Sequence, residues 1–497
     1  MTAVLTPAPK AQFFTNNGEP LVGGKLYSYA AGTTTPLATY TTYAGNVANT
    51  NPVILDSRGE ANVWLTSGVL YKLALYDADN ALIWTVDNVS SINDGIFSGP
   101  VAGTTATFSG ALTAASGAFS GAVSGTTGTF SGNVQMTSLN GGAIALRNKI
   151  INGSFTVNQR GITTVTPASG DYTLDRWFAV QTVAGKFSVA TGAANVAAVA
   201  AGVFGSLVTI TSLSTYSVGA SEAYSFGQRI EGYNIADLLW GSPNAKTVTL
   251  SFYVNSTLIG TFGGALKNSA NTRSYPFSYS IPVANTWTRI SIIITGDTTA
   301  ALTDWLTTNG IGLSVIFGLG VGATLSGTAG AWAAANYSSA TSAVSVVGTN
   351  GATWTLANVQ LEASPVATPF EQRSIALETL LAQRYYYRLT PGVANKTLST
   401  APCIVLSAVS ATGSTQFPVS MRATPSDLDQ SGTANQYSVI SVANTTCTAV
   451  PILNANLTTA DFGGVTFTTT GATAGTGTLR TDATNGATAF LGWSAEL

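Results

Sequence analysis

The 497-residue chain is longer than one core usually serves, and only 8% of it is charged, where roughly a quarter is usual. Its net charge of −2 and the lack of any Lys/Arg cluster leave no basic field for nucleic acid, and no apolar run nears the ~20 residues of a membrane span. With no histidine, the commonest general base and transition-metal ligand are gone, so no cofactor or metal is expected and any catalysis would fall to carboxylates.

Glycine is abundant, and threonine and serine crowd between short apolar alternations, which predicts an all-β chain. Residues 1–95 read as a compact β domain. Its strands KLYSY, ANVWL, YKLALY and ALIWTV alternate with period two, and turn signals such as NNGEP, SRGE and DADN separate them. DADN at 77–80 reads as a hairpin loop. The phrases AQFFTNNGEPLVGGKLYSYAAGTTTPLATY and NPVILDSRGEANVWLTSGVLYKLALYDADNALIWTVDNV closely resemble the N-terminal domain of bacteriophage tail fibre and tail spike proteins. That resemblance implies attachment to a phage tail or collar protein on the virion. MTAVLTPAPKAQ lacks the continuous apolar segment of a secretory signal, so assembly in the host cytoplasm is expected.

Residues 96–140 repeat FSG every eleven residues, at Phe97, Phe108, Phe119 and Phe130, with Val101, Leu112, Val123 and Val134 four residues after each. An eleven-residue period could suit a helical supercoil. The Gly and Thr within each unit forbid one, and the units read as β. One Phe and one aliphatic residue per unit bury too little to offset backbone ordering at ~1–2 kcal/mol per residue. A thin homotrimeric shaft, with these eight side chains at its axis, supplies the missing core. The alternative is a disordered Gly/Ser/Thr linker.

Residues 141–373 carry the strand runs YTLDRWFAV, YSFGQRIEGYN, TVTLSFYVNS, NTWTRISIII and IGLSVIFGLG, spaced as in a β-sandwich. RNKIINGSF, YTLDRW and VQLE…TPFEQR resemble a jelly-roll module of phage tail proteins that is similar to carbohydrate-binding modules. Residues 374–390 are predicted as a linking helix capped by Ser374, with Leu377, Leu380 and Leu381 on one side. Residues 391–497 form a second β domain at the tip. Cys403 and Cys447 read as buried free thiols, with a later disulfide as the alternative.

The acids worth weighing as a glycosidase pair are Asp171, Asp175, Asp237, Asp304, Glu362 and Glu371, but no spacing dictates shared geometry. Asp175 is expected to pair with Arg176 or a backbone turn, and Glu371 with Arg373. Trp177, Trp287, Trp354 and Trp493 read as core. Tyr385, Tyr386 and Tyr387 cannot all face inward in a regular element, which makes them candidates for receptor contact.

The reading is an elongated homotrimeric tail fibre of the virion, non-enzymatic, that binds bacterial surface polysaccharide or lipopolysaccharide. Its rivals are a polysaccharide-degrading tail spike and a purely structural collar or head fibre. Recognition through hydroxyls, amides and aromatic faces is expected to ignore salt and pH between about 5.5 and 8. Strong salt dependence would instead implicate cations such as Arg229, Lys267 or Arg273.

Overall fold

Alternation in the first ninety residues becomes a four-stranded antiparallel sheet of β1 (Lys25–Ala30), β2 (Val53–Ile54), β3 (Tyr71–Tyr76) and β4 (Leu82–Val89), in the order β2-β1-β3-β4. The computed structural model describes residues 3–5, 10–90, 146–391, 397–482 and 489–497. It divides into two units, Met1–Thr129 and Phe130–Leu497. The expected shaft side chains, Phe97 to Val134, lie outside the described residues. In the first unit Leu26, Leu73 and Leu75 pack with Leu21, Leu55, Val63 and Leu65. DADN is the β3–β4 hairpin loop, where Asp77 Oδ1 accepts from the amides of Asp79 (2.9 Å) and Ala81 (2.8 Å). Asn80 takes the left-handed conformation that short polar side chains tolerate, at φ 68°.

The second unit opens with a sandwich of two six-stranded antiparallel sheets. The first joins β6 (Tyr172–Leu174), β7 (Trp177–Gln181), β10 (Ala223–Glu231), β15 (Ile311–Val321), β12 (Gly260–Lys267) and β13 (Ser274–Ile281), in that order. The second joins β14 (Thr288–Ile294), β11 (Val248–Ser256), β16 (Thr353–Glu362), β9 (Ser206–Ser212), β8 (Phe187–Ala193) and β5 (Thr164–Val165). Alternate residues of both sheets meet in one core. Trp177 stacks on Phe226 with centroids 5.3 Å apart, and Trp354 donates Nε1–H to the Tyr279 hydroxyl (3.1 Å). A short helix, α1 (Val196–Ala200), not foreseen from the sequence, is capped by Asn195.

The two phrases that bracket the sandwich in sequence form a clasp. Asn148 Oδ1 accepts from the amides of Ile150 and Leu361 (both 3.0 Å), and its Nδ2 donates to the Val359 carbonyl (3.1 Å). Glu371 accepts from the amides of Arg147 (3.2 Å) and Asn148 (2.9 Å) and pairs with Arg373 (3.3 Å). The chain therefore enters and leaves the sandwich at one place.

The predicted helix 374–390 is shorter. α2 (Ile375–Gln383) begins at Ser374, whose side chain accepts from the Leu377 amide, as expected. Its buried face is Glu378 and Ala382, while Leu377 and Leu380 are exposed. The helix stops because the β-favouring aromatic run that follows pairs as β17 (Tyr386–Leu389) with a strand near the end of the chain.

Beyond α2 lie two further sheets. β18 (Thr397–Ser407), β19 (Ser410–Gln416), β21 (Tyr437–Ile440), β22 (Asn444–Thr446), β23 (Ile452–Leu453), β24 (Phe462–Thr468) and β25 (Gly475–Asp482) form one, ordered β22-β21-β25-β18-β19-β24-β23. β20 (Asp427–Gln430) and β17 flank β26 (Leu491–Ser494) in the other. The strand read into TQFPVSMRATP ends at Gln416, two residues before Pro418, which has no amide to donate to a ladder. Cys403 and Cys447 are buried free thiols, and burial pushes the Cys447 thiol up to about 12.

Candidate functional site

Register across the first sheet of the sandwich sets three rows of side chains on its outer face. Lys267 of β12 lies opposite Ser314 of β15, which lies opposite Arg229 of β10. Two residues along each strand, Ala265, Ile316 and Gly227 form the next row, continued by Phe178 of β7. In the third row, Gly318 faces Ser225, and Ser225 faces Val180. Gly263 and Gly318 leave room for the Ser338–Ala340 stretch to cross that end of the face. A Cβ on Gly263 would sit 2.4 Å from Ser339 Oγ, and one on Gly318 2.8 Å from it.

What stays open is a groove of about 280 Å3. Phe178, Ser225 and Ile316 are its mostly buried floor, and exposed Ser269, Asn271 and Asn336 stand at its rim. None of its lining residues is Asp or Glu. Arg229 lies over the Phe178 ring, its Cζ 4.3 Å from the centroid. Its Nη1 donates to the Tyr172 hydroxyl (3.3 Å) and to a main-chain oxygen of Leu497.

Lys267 is 9% exposed, and burial pushes its ammonium down to about 8. An unfolded chain, with lysine near 10.4, therefore binds more protons than the folded one between these values. Stability should rise with pH in that window, by on the order of 2–3 kcal/mol. Urea unfolding at pH 7.5 and 9 should show stability rising more steeply in the native chain than in Lys267→Met. Equal pH slopes in both proteins would place the titration elsewhere.

A wider cleft of about 660 Å3 lies where the sandwich meets the last domain, between Tyr172, Arg160, Arg388, Asp429 and Phe490. Its polar groups are largely engaged with one another. Arg160 stacks on Tyr386 (3.7 Å) and Arg388 on Phe490 (3.5 Å), while Asp429 accepts from the Tyr386 hydroxyl (2.7 Å). Beside it, Glu231 accepts from Arg384 Nε (2.9 Å), Arg384 Nη2 (2.7 Å) and the Tyr385 hydroxyl (2.6 Å). Burial works to raise the Glu231 carboxyl, but the Arg384 and Tyr385 hydrogen bonds hold it below the usual range.

These contacts relocate the tyrosines. Tyr385 is 0% and Tyr386 1% exposed, so these two candidate receptor residues hold the junction, while Tyr387 is partly buried. Tyr387 stacks on Trp493 and meets Phe417 edge-on. Trp177, Trp354 and Trp493 are core as expected, and Trp287 is partly buried.

The carboxylates weighed as a glycosidase pair have structural partners. Asp175 does not pair with Arg176. It accepts from the Gln159 amide (2.7 Å) and Gln159 Nε2 (2.6 Å), and burial raises its carboxyl. Arg176 instead meets Glu496. Glu371 does meet Arg373, Glu362 is held by Thr368 and Gln360, Asp237 pairs with Lys149 (2.7 Å), Asp304 caps the Ala301 amide (2.9 Å) and Asp171 the Ala168 amide (2.7 Å). Among the described residues no three His, Cys, Asp or Glu side chains gather as a metal site requires, and no helix is long and apolar enough to cross a membrane.

Sequence reasoning missed the groove. It named Arg229 and Lys267 only as a contingency, and no local signal places residues 38 positions apart in one row.

No protein-family model and no curated protein matches the chain. Solved structures similar to it include the enzymatically active domain of bacteriophage CBA120 tailspike protein 4, at 14% identity and TM-score 0.25, covering 43% of this chain and 21% of that one. The chain thus spans about a fifth of the tailspike chain. It is also similar to a family 11 carbohydrate-binding module from Clostridium thermocellum in complex with a β-1,3-1,4-mixed-linked tetrasaccharide, at 12% identity and TM-score 0.20, covering 42% of this chain and 99% of that one. Scores this low leave the choice of ligand to rest on the groove itself. The expectation of a non-enzymatic chain is corrected to an open one: a domain described as enzymatically active stands among the similar structures, and glycan cleavage by this chain becomes a quantity to measure.

Proposed function

We propose that this chain recognises a bacterial surface glycan through the groove on the outer face of the sandwich, as part of a homotrimeric phage tail fibre assembled in the host cytoplasm and carried on the virion. The observation that carries the glycan reading is the groove: a concave floor with hydroxyl, amide and cationic donors converging on it from three strands and two loops, the arrangement by which a small polar ligand is oriented. The tail-fibre part is supported by the N-terminal phrases, and the trimer by the eleven-residue repeat. Light scattering of the full chain tests the trimer through its mass.

The glycan reading is tested by titrating purified bacterial polysaccharides and lipopolysaccharides into the full chain, with reducing ends counted in parallel. Saturable binding to one of them is expected, together with its loss in Ser314→Trp, whose indole would fill the groove. Binding that survives this substitution would move the site elsewhere, and no binding to any glycan would favour a structural collar or head fibre. New reducing ends would class the protein with glycan-cleaving spikes.

A further inference from the structure

Resting on the glycan reading above, we propose that the groove takes an anionic sugar residue, with a carboxylate on the ring held at Lys267 and ring hydroxyls reaching Arg229. The argument starts from charge. Pairing with an acid is the ordinary state of a buried cation, and Arg176 with Glu496, Arg273 with Asp297 and Arg373 with Glu371 follow that rule. Lys267 departs from it. Among the described residues its ammonium makes one hydrogen bond, 3.3 Å to Ser338 Oγ, and no ion pair, although it carries three donors. Arg229, in the same row, already donates to the Tyr172 hydroxyl and to a main-chain oxygen of Leu497. A buried ammonium in a pocket whose lining holds no acid leaves an anion as the complementary ligand.

Size and shape narrow the anion to a sugar. A volume of 280 Å3 equals roughly nine waters at ~30 Å3 each, room for one six-membered ring with its substituents. Lys267 and Arg229 sit two strands apart, roughly 10 Å along the sheet, so one ring can reach both. Phe178 is only 3% exposed and is covered by Arg229. A neutral sugar therefore gains little stacking here, and the carboxylate supplies the contact that distinguishes one ligand from another.

The test titrates D-glucuronate, D-galacturonate, D-glucose and inorganic phosphate separately into the full chain, by calorimetry or ligand-observed NMR. Either uronate should bind at least about ten-fold more tightly than glucose, and Lys267→Met should erase that preference, a loss of about 10- to 100-fold for a hydrogen-bonded charge. Equal affinity for uronate and glucose, or an unchanged preference in Lys267→Met, overturns the proposal. Phosphate binding as tightly as uronate would make the groove a general anion pocket and overturns it too.

Should Lys267→Met fail to fold, the native protein carries the same readout. Lys267 and Arg229 are the charged side chains lining the groove, with Tyr172 behind Arg229, and a guanidinium does not titrate below about pH 12. Uronate affinity should then fall between pH 7 and 9 as Lys267 loses its proton, while glucose affinity stays level; parallel profiles overturn the proposal. Neutral glycan binding that Ser314→Trp abolishes, without any preference for uronates, would sink this inference and leave the glycan reading standing. Failure of every glycan, acidic or neutral, would sink both.

Discussion

Glu231→Ala is expected to destabilise the second unit by about 2–4 kcal/mol, because it leaves the buried Tyr385 hydroxyl and the partly exposed Arg384 without their shared carboxylate. Glu231 is 1% exposed on β10 of the sandwich, and its partners Arg384 and Tyr385 lie just beyond α2, on the path to the last domain. The loss should therefore appear as uncoupling, with the region after residue 384 becoming open to protease before the sandwich does. Its pH signature follows from the direction of the shift. A carboxyl held below its unfolded value of about 4.3 contributes fully above that pH and loses its contribution as pH falls through the folded value. The stability gap between native protein and Glu231→Gln should close as pH falls below about 4.3. A neutral variant as stable as the parent at pH 7 would mean that the pair does not hold the two domains together.

Trp177→Ala should cost a similar amount, about 3–5 kcal/mol, as large aromatic truncations in cores do. The indole is 0% exposed, stacks on Phe226 and meets Phe155 at 4.9 Å. Its Nε1–H also donates to the Asn152 carbonyl (3.0 Å), tying the sheet to the clasp. Trp177→Phe keeps most of the packing but strands that carbonyl, so a smaller loss of about 1–3 kcal/mol is expected. Urea midpoints for the two variants provide the comparison. Equal losses would show that the hydrogen bond contributes nothing measurable.

How much of this was legible in the sequence depends on the range of the signal. Alternation and turn residues are local, so the strands around Trp177, Phe226, Leu250 and Phe317, the DADN hairpin and the Ser374 cap could be read directly. The tyrosine run was misread because the helical pattern continues into it without a Gly or Pro. What ends the helix is a pairing with Leu491–Ser494, about a hundred positions on, and no property of the run itself reveals that partner. The partners of Asp175 and Arg176 show the same limit: neighbours in sequence, they point to Gln159 and Glu496 because the chain turns between them, with Arg176 at φ 73°. The groove is the extreme case, since Lys267, Ser314 and Arg229 come from three strands whose order in the sheet differs from their order in the chain. Their common environment also mattered: an isolated lysine in a sequence carries no sign that it will be buried without an acid.

The clasp at the base of the sandwich bears on how such a protein can change. Because Asn148 and Arg147 are bonded to residues 359–371, the two ends of the sandwich block lie together, and its other ties run to α2 and the residues after it. Exchanging residues 147–373 for a homologous block would alter the groove while keeping the distance between the flanking segments. The outward ties would have to travel with the new block, among them Glu231 to Arg384, the Asn152 amide to Glu378, Arg176 to Glu496 and Gln159 to the Tyr386 carbonyl. A lineage that kept those contacts could exchange the groove by recombination in a single step, with the rest of the chain unchanged.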